Sequence, residues 1–379
     1  MRRTVFEPEH DALRDLARSF FEKECVPHRD EWAAQGHVSR EAWLRAGDLG
    51  LLGFDVPVAY GGPGVTDFRY NAVVAEEAAR VGTGIGLGLQ NDVVAPYLID
   101  LGTEEQKHRW LPGFVSGEIL TAIAMSEPGA GSDLKAISTN AHRDGGDWVL
   151  NGAKTFITGG LLADLVIVVA KTDPDAGHKG FSLLCVERGM VGFERGKKLD
   201  KIGNRGSDTT ELFFDDVRVP ATNLLGAEGQ GFYYLMRNLA RERLGIALAA
   251  VASAERAFEI ALQYGKERTA FGTVIGSFQA NRFSFAEMHT TLLAARVFVD
   301  RCLEAALTDE LTPEEAAAAK WWSTEIQWEI TDRCLQLFGG YGYINEYEIA
   351  RIWRDARVQR LYGGTTEVMK DLIGRSLGL

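Results

Sequence analysis

The chain has 379 residues, of which 46% are hydrophobic and 25% are charged, and its formal net charge at pH 7 is −12. One hydrophobic core rarely serves a chain of this length, so the sequence predicts two or three domains. The negative charge argues against a general affinity for nucleic acid or anionic membranes. No apolar run approaches the roughly 18 residues that suggest a membrane span.

The N-terminus and the cysteines predict a cytoplasmic protein. Two arginines near the start are followed by acidic residues rather than by an apolar run, which fits neither a secretory signal nor a transit peptide. The four cysteines are far apart and form no Cys-x-x-Cys pair, so we expect reduced, packed thiols. They are Cys25, Cys185, Cys302 and Cys334. The seven histidines are scattered, so a metal site has no support.

Residues 1–118 predict a helical N-terminal domain. Apolar residues recur at spacings of three and four between Leu13 and Phe21, and a second helix is predicted from Asn71 to Arg80. Glycines at 82, 84, 86 and 88 invite comparison with a dinucleotide-binding GxGxxG motif. Position 89 is leucine, so the series predicts a flexible loop or close helix packing instead.

Residues 119–226 predict a small antiparallel β domain, because the apolar runs shorten and turn signals multiply. The stretch from Trp148 to Thr158 is interpreted as a hairpin with a tight turn at Asn151-Gly152. Further strands are predicted at 165–170, 181–186 and 211–214.

Residues 227–379 predict a C-terminal α-helical bundle. The stretch 243–268 has no proline and many alanines, and 314–338 is similar. The predicted fold class is therefore α+β, with an N-terminal α-helical domain, a middle antiparallel β domain and a C-terminal α-helical bundle.

The segment MSEPGAGSD, residues 125–133, predicts a tight exposed turn whose backbone N–H groups and hydroxyls could bind carbonyls or phosphates. Taken alone, an ordinary loop fits equally well. The segment resembles the signature of acyl-CoA dehydrogenases, and the resemblance extends over nearly the whole chain. The further motifs are KTFITG from 154, DVRVP from 216, ERTAFG from 267, QLFGGYGY from 336 and YGGTTE from 362.

The resemblance implies an FAD site shared between subunits of a homo-oligomer, usually a tetramer. The positions that match flavin contacts from the β domain are Met125, Ser126, Phe156 and Thr158. Those that match contacts from a neighbouring subunit are Arg268, Phe271, Gln279, Gln336 and Gly340. Thr365 and Glu367 match C-terminal contacts to the cofactor, while Ser132, Arg243, Tyr362 and Gly363 match substrate contacts.

The general base is where the sequence departs from a common family pattern. Many members carry the catalytic glutamate directly after the tyrosine that matches Tyr362, but here that position is Gly363. The resemblance offers a second base position, used in long-chain and isovaleryl-CoA enzymes, which matches Glu242. Thioester chemistry also needs hydrogen-bond donors on the carbonyl and a flavin to accept hydride.

The residues around Glu242 support it independently. If 235–249 is helical, the face that carries Glu242 is largely apolar and has no basic residue at i±3 or i±4. Burial there would raise its pKa toward a value useful for a general base. The alternative for Glu242 is an exposed glutamate on the helix surface. The alternative for the neighbouring Arg243 is a surface ion pair.

The resemblance therefore implies an enzyme, closest to the long-chain type, that oxidises a fatty acyl-CoA to the 2-enoyl-CoA and passes electrons to an electron-transfer flavoprotein. A branched-chain substrate such as isovaleryl-CoA and an acyl group on a carrier protein remain alternatives. So do a flavin oxidase or monooxygenase on the same scaffold and a non-catalytic partner subunit.

Overall fold

The first part of the computed structural model, which describes residues 1–379, is helical. Its α-helices are α1 (Pro8–Phe20), α2 (Arg29–Gln35), α3 (Arg40–Asp48), α4 (Phe68–Val81), α5 (Ala95–Leu101) and α6 (Glu104–Ser116). Both predicted helices are present, as α1 and α4. There are also two π-helical segments. Phe21–Cys25 directly follows α1, and Leu89–Val94 directly precedes α5. Such segments are rare and are frequent at functional sites.

Helix ends follow the local sequence. Helix α6 starts at a capping box, in which the Thr103 side chain accepts from the backbone of Gln106 and the Gln106 side chain accepts from the backbone of Thr103. It ends at Gly117, whose φ of +80° places it in the left-handed region that glycine tolerates. The chain therefore turns sharply at the border between the helical part and the first strand.

The glycine series packs closely against a loop. A Cβ built on Gly84, whose φ is +89°, would lie 2.7 Å from the carbonyl carbon of Gly206. Only glycine on both sides lets the two backbones approach this closely. The close packing that the series predicts is present, but the partner is a loop of the β part rather than a helix.

The middle part is a mixed sheet that is mostly antiparallel. Its strands are β1 (Thr121–Ala124), β2 (Asn140–Asp144), β3 (Asp147–Thr158), β4 (Leu165–Lys171), β5 (Phe181–Glu187), β6 (Phe193–Lys198), β7 (Thr209–Pro220) and β8 (Leu224–Leu225). The spatial order is β6-β7-β3-β2-β4-β5-β8, and β1 pairs with β4. The β1–β4 pair is parallel, in register from Thr121 with Leu165 to Ala124 with Val168.

The predicted hairpin at Asn151-Gly152 is wrong. Strand β3 is one continuous 12-residue strand, and its register with β7 shifts between Leu150 and Gly152. A Cβ on Gly152 would lie 2.5 Å from Oγ1 of Thr139, so close packing at a bulge explains the glycine. The turn lies instead between β2 and β3, where Gly145 has a φ of +65°.

The last part is a helical bundle with one short hairpin. It contains α7 (Gly231–Glu267), β9 (Thr269–Ala270), β10 (Thr273–Val274), α8 (Gln279–Leu307), α9 (Pro313–Phe338), α10 (Glu348–Ala356) and α11 (Thr366–Ser376). The largest apolar core joins α7, α8 and α9 with Phe68 and Ala72 of α4. The two helical parts therefore share one core, and the α+β fold class with its helical, β and helical parts is confirmed.

All four cysteines are buried and free, as predicted. No helix combines the length and the apolar character that crossing a membrane would require.

Candidate active site

Glu242 is a buried carboxyl in the first half of α7. Only 7% of the residue is exposed, and its face neighbours Leu235 and Gly245 are also on the buried side of the helix. Burial raises the pKa of Glu242 to about 7, while the Arg243 charge and a hydrogen bond from Tyr97 act in the opposite direction. The exposed-glutamate alternative therefore does not apply. A carboxyl that titrates near neutral pH is suited to general base catalysis.

Tyr97 on α5 is the partner of Glu242 that sequence reasoning missed. Its hydroxyl donates to Oε1 of Glu242 over 3.4 Å, a long hydrogen bond that still orients the carboxyl. Asn238 lies one turn before Glu242 on α7, and its buried Nδ2 has no hydrogen-bond partner. Glu242 thus has two polar neighbours, Tyr97 and Asn238, and the amide N–H groups of Asn238 remain without a hydrogen-bond acceptor.

Two buried cations lie near the same end of α7. Arg243 is 6% exposed, forms no salt bridge, and its Nε has no partner. Burial lowers the pKa of its guanidinium, and the carboxylate of Glu242 opposes this shift. Lys320 on α9 is fully buried and its Nζ donates to the carbonyl of Gly364 over 2.7 Å. Burial, and then the charge of Arg243, lower the pKa of Lys320 to about 8.

Gly363 lies against the helix face that carries Glu242. Its φ is +63°, and a Cβ built on it would lie 2.4 Å from Cδ1 of Ile246, one turn after Glu242 on α7. The structure thus brings together both positions that the resemblance identifies for the base. Tyr362 beside it is partly exposed. Thr365 then caps α11, where its Oγ1 accepts from the N–H of Val368 over 3.3 Å, with Glu367 in the first helical turn.

The loop after β1 is held firmly on β3. The N–H of Thr155 donates to the carbonyl of Ser126 over 2.9 Å, and Nζ of Lys154 donates to the carbonyl of Met125 over 3.1 Å. Glu127 and Ala130 exchange two backbone hydrogen bonds of 2.8 and 3.1 Å, which makes the predicted tight turn. The loop continues to Ser132, which is exposed.

A buried ion pair beneath this loop was also missed by sequence reasoning. Lys154 Nζ lies 2.9 Å from Oε1 of Glu127, and the two side chains are 0% and 2% exposed. Burial alone would raise the pKa of the glutamate, but hydrogen bonds from Thr139, Lys154 and Ser138 lower it to about 2. The pair therefore fixes the backbone at the end of β1.

Phe156 is an exposed aromatic residue on a strained backbone. It has a φ of +60°, lies where the β3–β7 register shifts between Lys154 and Ile157, and is 69% exposed. A bulky residue in the left-handed region costs roughly 1–2 kcal/mol. The bulge turns Phe156 and the exposed Thr158 outward beside Ser126. This surface combines an aromatic face with hydroxyl and backbone donors, which suits a flat aromatic ligand.

A second set of predicted contacts lies at the other end of α7. Arg268 follows the last residue of α7, and its guanidinium carbon is 5.8 Å from the ring centroid of Tyr341. Roughly 39 Å of helix, at 1.5 Å per residue, separates it from Glu242. Phe271 is 96% exposed with a φ of +53°. Gln279, Gln336 and Gly340 are exposed as well.

Comparison with known proteins decides the family. The chain matches the acyl-CoA dehydrogenase N-terminal domain over residues 7–118, the middle domain over 122–217 and the C-terminal domain over 229–378. The chain belongs to the acyl-CoA dehydrogenase family.

Individual relatives of this acyl-CoA dehydrogenase agree over the whole length. It is 48% identical to the mitochondrial long-chain specific acyl-CoA dehydrogenase of Sus scrofa over 378 residues, which are 99% of this chain and 88% of the relative. It is similar to the crystal structure of an acyl-CoA dehydrogenase from Geobacillus kaustophilus, with a TM-score of 0.98, 49% identity and complete coverage of both chains. An acyl-CoA dehydrogenase from Bacillus anthracis, solved in complex with FAD, has a TM-score of 0.92 and 32% identity, and the match covers 98% of this chain and 68% of that one.

In this acyl-CoA dehydrogenase, the predicted site residues thus fall into three groups. Glu242, Arg243 and Gly363 meet at the N-terminal half of α7, where Lys320 anchors the turn that leads to Thr365 and Glu367. Arg268 lies against Tyr341 at the far end of the same helix, and Phe271, Gln279, Gln336 and Gly340 are exposed. Met125, Ser126, Phe156 and Thr158 form the β-domain surface described above.

Proposed function

We propose that this enzyme is an FAD-dependent fatty acyl-CoA dehydrogenase of the long-chain type, in which Glu242 removes the α proton. The observation that carries this proposal is a buried carboxyl at Glu242 on the face of α7 against which Gly363 packs. Of the two positions that the family resemblance identifies for the base, only position 242 carries a carboxyl.

The proposed reaction removes two hydrogens from adjacent carbons of the acyl chain and gives the 2-enoyl-CoA. FAD, when bound, would accept the β hydrogen as hydride. The α proton passes to the carboxylate of Glu242, which must therefore be ionised before turnover. Its pKa of about 7 keeps it a strong enough base while leaving a large ionised fraction at neutral pH.

We assign Arg243 to the acyl-CoA. A guanidinium has five N–H donors, and in this buried one no carboxylate lies within salt-bridge distance. Leaving such donors unsatisfied is costly, and a carbonyl or phosphate oxygen of the substrate would satisfy them. Lys320 holds the Gly363-Gly364 turn in place, because its Nζ donates to the Gly364 carbonyl.

The surface around Phe156 fits the isoalloxazine ring of FAD. Ser126 and Thr158 supply hydroxyls beside an aromatic face, and the buried Lys154–Glu127 pair holds their backbone. The cost of the strained Phe156 backbone is explained if the residue is held against a ligand. Met125 extends the same surface along the loop, and we assign Ser132, further along, to the acyl-CoA.

We propose that FAD is shared between subunits of a homo-oligomer, most simply a tetramer built from dimers. Arg268 lies roughly 39 Å along α7 from Glu242, so a cofactor that reacts beside Glu242 would meet the Arg268 set of a second copy. The exposed Phe271 is then covered by the partner rather than by water.

Arg268→Ala should therefore lose FAD on purification while the subunit still folds. The variant removes a charge-assisted contact to the cofactor and nothing from the core of its own chain. Absorbance of the purified protein gives the flavin content per subunit, and circular dichroism gives the fold. Arg301→Ala, which removes an exposed arginine on α8, is the matched control and should stay fully yellow. Full flavin content in Arg268→Ala with a normal oligomer would contradict the shared site.

The substrate class is tested by a panel of acyl-CoAs with an artificial electron acceptor. We expect a higher kcat/KM for straight-chain acyl-CoA of medium to long length than for isovaleryl-CoA. A higher value for isovaleryl-CoA than for every straight-chain substrate would reject the long-chain assignment. An acyl group on a carrier protein belongs in the same panel.

We propose an electron-transfer flavoprotein as the physiological acceptor. Oxygen uptake in the steady state, at a rate equal to substrate turnover, would point instead to an oxidase or monooxygenase. A purified chain that binds no flavin and oxidises no acyl-CoA would point to a non-catalytic subunit.

Moving the carboxylate from position 242 to 363 should restore little activity, because a φ of +63° strains any residue but glycine there and Cδ1 of Ile246 lies in the way. In Glu242→Gln/Gly363→Glu the new side chain would meet Cδ1 of Ile246. Ile246→Val removes that atom, and the next one, Cγ1, is 4.0 Å away. The triple variant should therefore reduce flavin roughly tenfold faster than Glu242→Gln, within the range of general base effects.

Single-turnover flavin reduction measures this difference, and Ile246→Val alone should stay near wild type. Equal rates for the triple variant and Glu242→Gln would show that shortening Ile246 is not enough to admit a base at position 363.

A further inference from the structure

Asp92 is a second buried carboxyl close to Glu242. It belongs to the π-helical segment Leu89–Val94, directly before the helix that carries Tyr97. Its residue is 6% exposed, and its Oδ1 accepts a hydrogen bond of 2.8 Å from Nδ2 of Asn71, which is buried as well. Burial raises the pKa of Asp92 to about 6, and the Asn71 hydrogen bond acts against this rise.

The other carboxylate oxygen of Asp92 faces α7. A Cβ built on Gly245 would lie 3.1 Å from Oδ2 of Asp92, and one built on Gly88 would lie 3.2 Å from it. This oxygen makes no hydrogen bond to another side chain. Gly245 is one turn after Glu242 on the same helix face, so the absence of side chains at two glycines lets the Asp92 carboxyl approach the helix beside the base.

Each of the two carboxyls has further charged or polar neighbours. Glu242 is faced by Arg243 on its own helix and by the Tyr97 hydroxyl from α5. Asp92 is faced by Arg241 and Asp55, and those two pair with each other at 2.5 Å. Arg241 therefore acts on Asp92 while it is paired with Asp55, and Asp92 makes no salt bridge of its own. The charge of Asp92 in turn raises the pKa of Glu242.

We propose that Asp92 is a positioning residue for the general base, holding a second carboxyl beside Glu242 so that the pair releases its protons in two separate steps. Two carboxyls in a poorly solvated site cannot both ionise cheaply. When Asp92 ionises first, its charge keeps the proton on Glu242 to higher pH, which makes Glu242 the stronger base. The proposal rests on Glu242 being the base.

Asp92→Asn in the holoenzyme tests this, because asparagine keeps the shape but not the charge. A general base gives a kcat/KM that rises with pH through the pKa of the base. Removing the neighbouring charge lowers that pKa, so the rising limb should move about one pH unit lower. At pH 6 the variant should then show about five times the wild-type fraction of its own plateau value. A merely structural role would change stability and leave the limb in place.

Two further variants test the direction of the shift in the rising limb and its specificity for Asp92. Tyr97→Phe removes a donor that stabilises the Glu242 carboxylate, so its limb should move to higher pH. Asp300→Asn removes a largely buried carboxyl that pairs with Arg3 and with Arg296, and should not move the limb. An unshifted limb in Asp92→Asn, with a shift in Tyr97→Phe, would overturn the proposal.

A second variant guards against misfolding of Asp92→Asn. Asn71→Leu keeps Asp92 but removes the donor that favours its charge, so Asp92 ionises later and the Glu242 limb should move to lower pH as well. If Asp92→Asn does not fold, an unshifted limb in folded Asn71→Leu would overturn the proposal.

Infrared difference spectroscopy separates this proposal from that of the base itself. The carboxylic acid stretch lost in Glu242→Gln identifies Glu242, whatever its catalytic role. We expect the pH at which this stretch disappears to be lower in Asp92→Asn than in the wild type. An unchanged midpoint would overturn the coupling between Asp92 and Glu242. Undiminished activity in Glu242→Gln would instead reject Glu242 as the base.

Discussion

Glu242→Gln should lower kcat by on the order of 10²–10⁴, and we expect the upper end of that range. Glutamine keeps the size and the hydrogen-bonding capacity of the side chain but cannot accept the α proton. Water is a poor substitute here, because only 7% of the residue is exposed. Gly363 offers no carboxyl in reserve.

Acyl-CoA binding should survive this change. The contacts that we assign to the thioester and to CoA come from Arg243 and the loop at Ser132 rather than from Glu242. Flavin absorbance should therefore still shift when substrate is added, while turnover with an artificial acceptor is lost. Glu259→Gln, on an exposed position of the same helix, is the matched control and should keep kcat within a few fold. Loss of binding in Glu242→Gln would mean that the residue holds the substrate instead.

Lys154→Met should destabilise the protein by about 3 kcal/mol, because it leaves the buried charge of Glu127 without its cation. We expect the lower end of the range for a broken buried pair, since Glu127 keeps hydrogen bonds from Ser138 and Thr139. The carbonyl of Met125 also loses its donor, so the loop at the proposed flavin surface loosens and FAD should be held less tightly. Urea unfolding at one protein and FAD concentration measures the first effect, and flavin content measures the second.

A compensating change distinguishes the ion pair from simple packing. Lys154→Met with Glu127→Gln removes both charges and should recover part of the lost stability, because no unpaired charge stays buried. The amide has one oxygen, so it can accept from Ser138 or from Thr139 but not from both. Lys171→Met, on β4 of the same sheet, should change stability by less than about 0.5 kcal/mol. A single Lys154→Met variant as stable as wild type would refute the structural importance of the pair.

Glu127 should make the free energy of unfolding fall as the pH is lowered. Its pKa is lowered to about 2 in the folded protein, so its ionised form stabilises the fold above the ordinary glutamate pKa. That contribution is lost as the pH falls toward 2.

The fold could be predicted from the sequence wherever a pattern is local. The unbroken helical pattern of α7 placed Glu242 on an apolar face, and the structure buries it there. The Asn151-Gly152 hairpin failed for the opposite reason. The dipeptide has the local preference for a tight turn. However, β3 pairs with β7 on both sides of Gly152, which keeps the chain extended and places the glycine in a β-bulge.

The rest of the candidate site depends on contacts between distant segments. Tyr97 meets Glu242 across 145 positions of the chain, and no periodicity connects them. Lys154 looks like an ordinary strand lysine, and only the packing of the loop after β1 buries it against Glu127. The exposure and the positive φ of Phe156 likewise arise from a register shift that the sequence does not reveal.

The most direct test of Glu242 as the base is the rate of flavin reduction in a single turnover. Wild type and Glu242→Gln, both saturated with FAD, would be mixed anaerobically with a straight-chain acyl-CoA and with the same substrate deuterated at the α carbon. We predict rapid bleaching in the wild type, slowed by α deuteration, and bleaching slower by on the order of 10²–10⁴ in Glu242→Gln. Reduction of Glu242→Gln within a few fold of the wild-type rate would contradict the assignment.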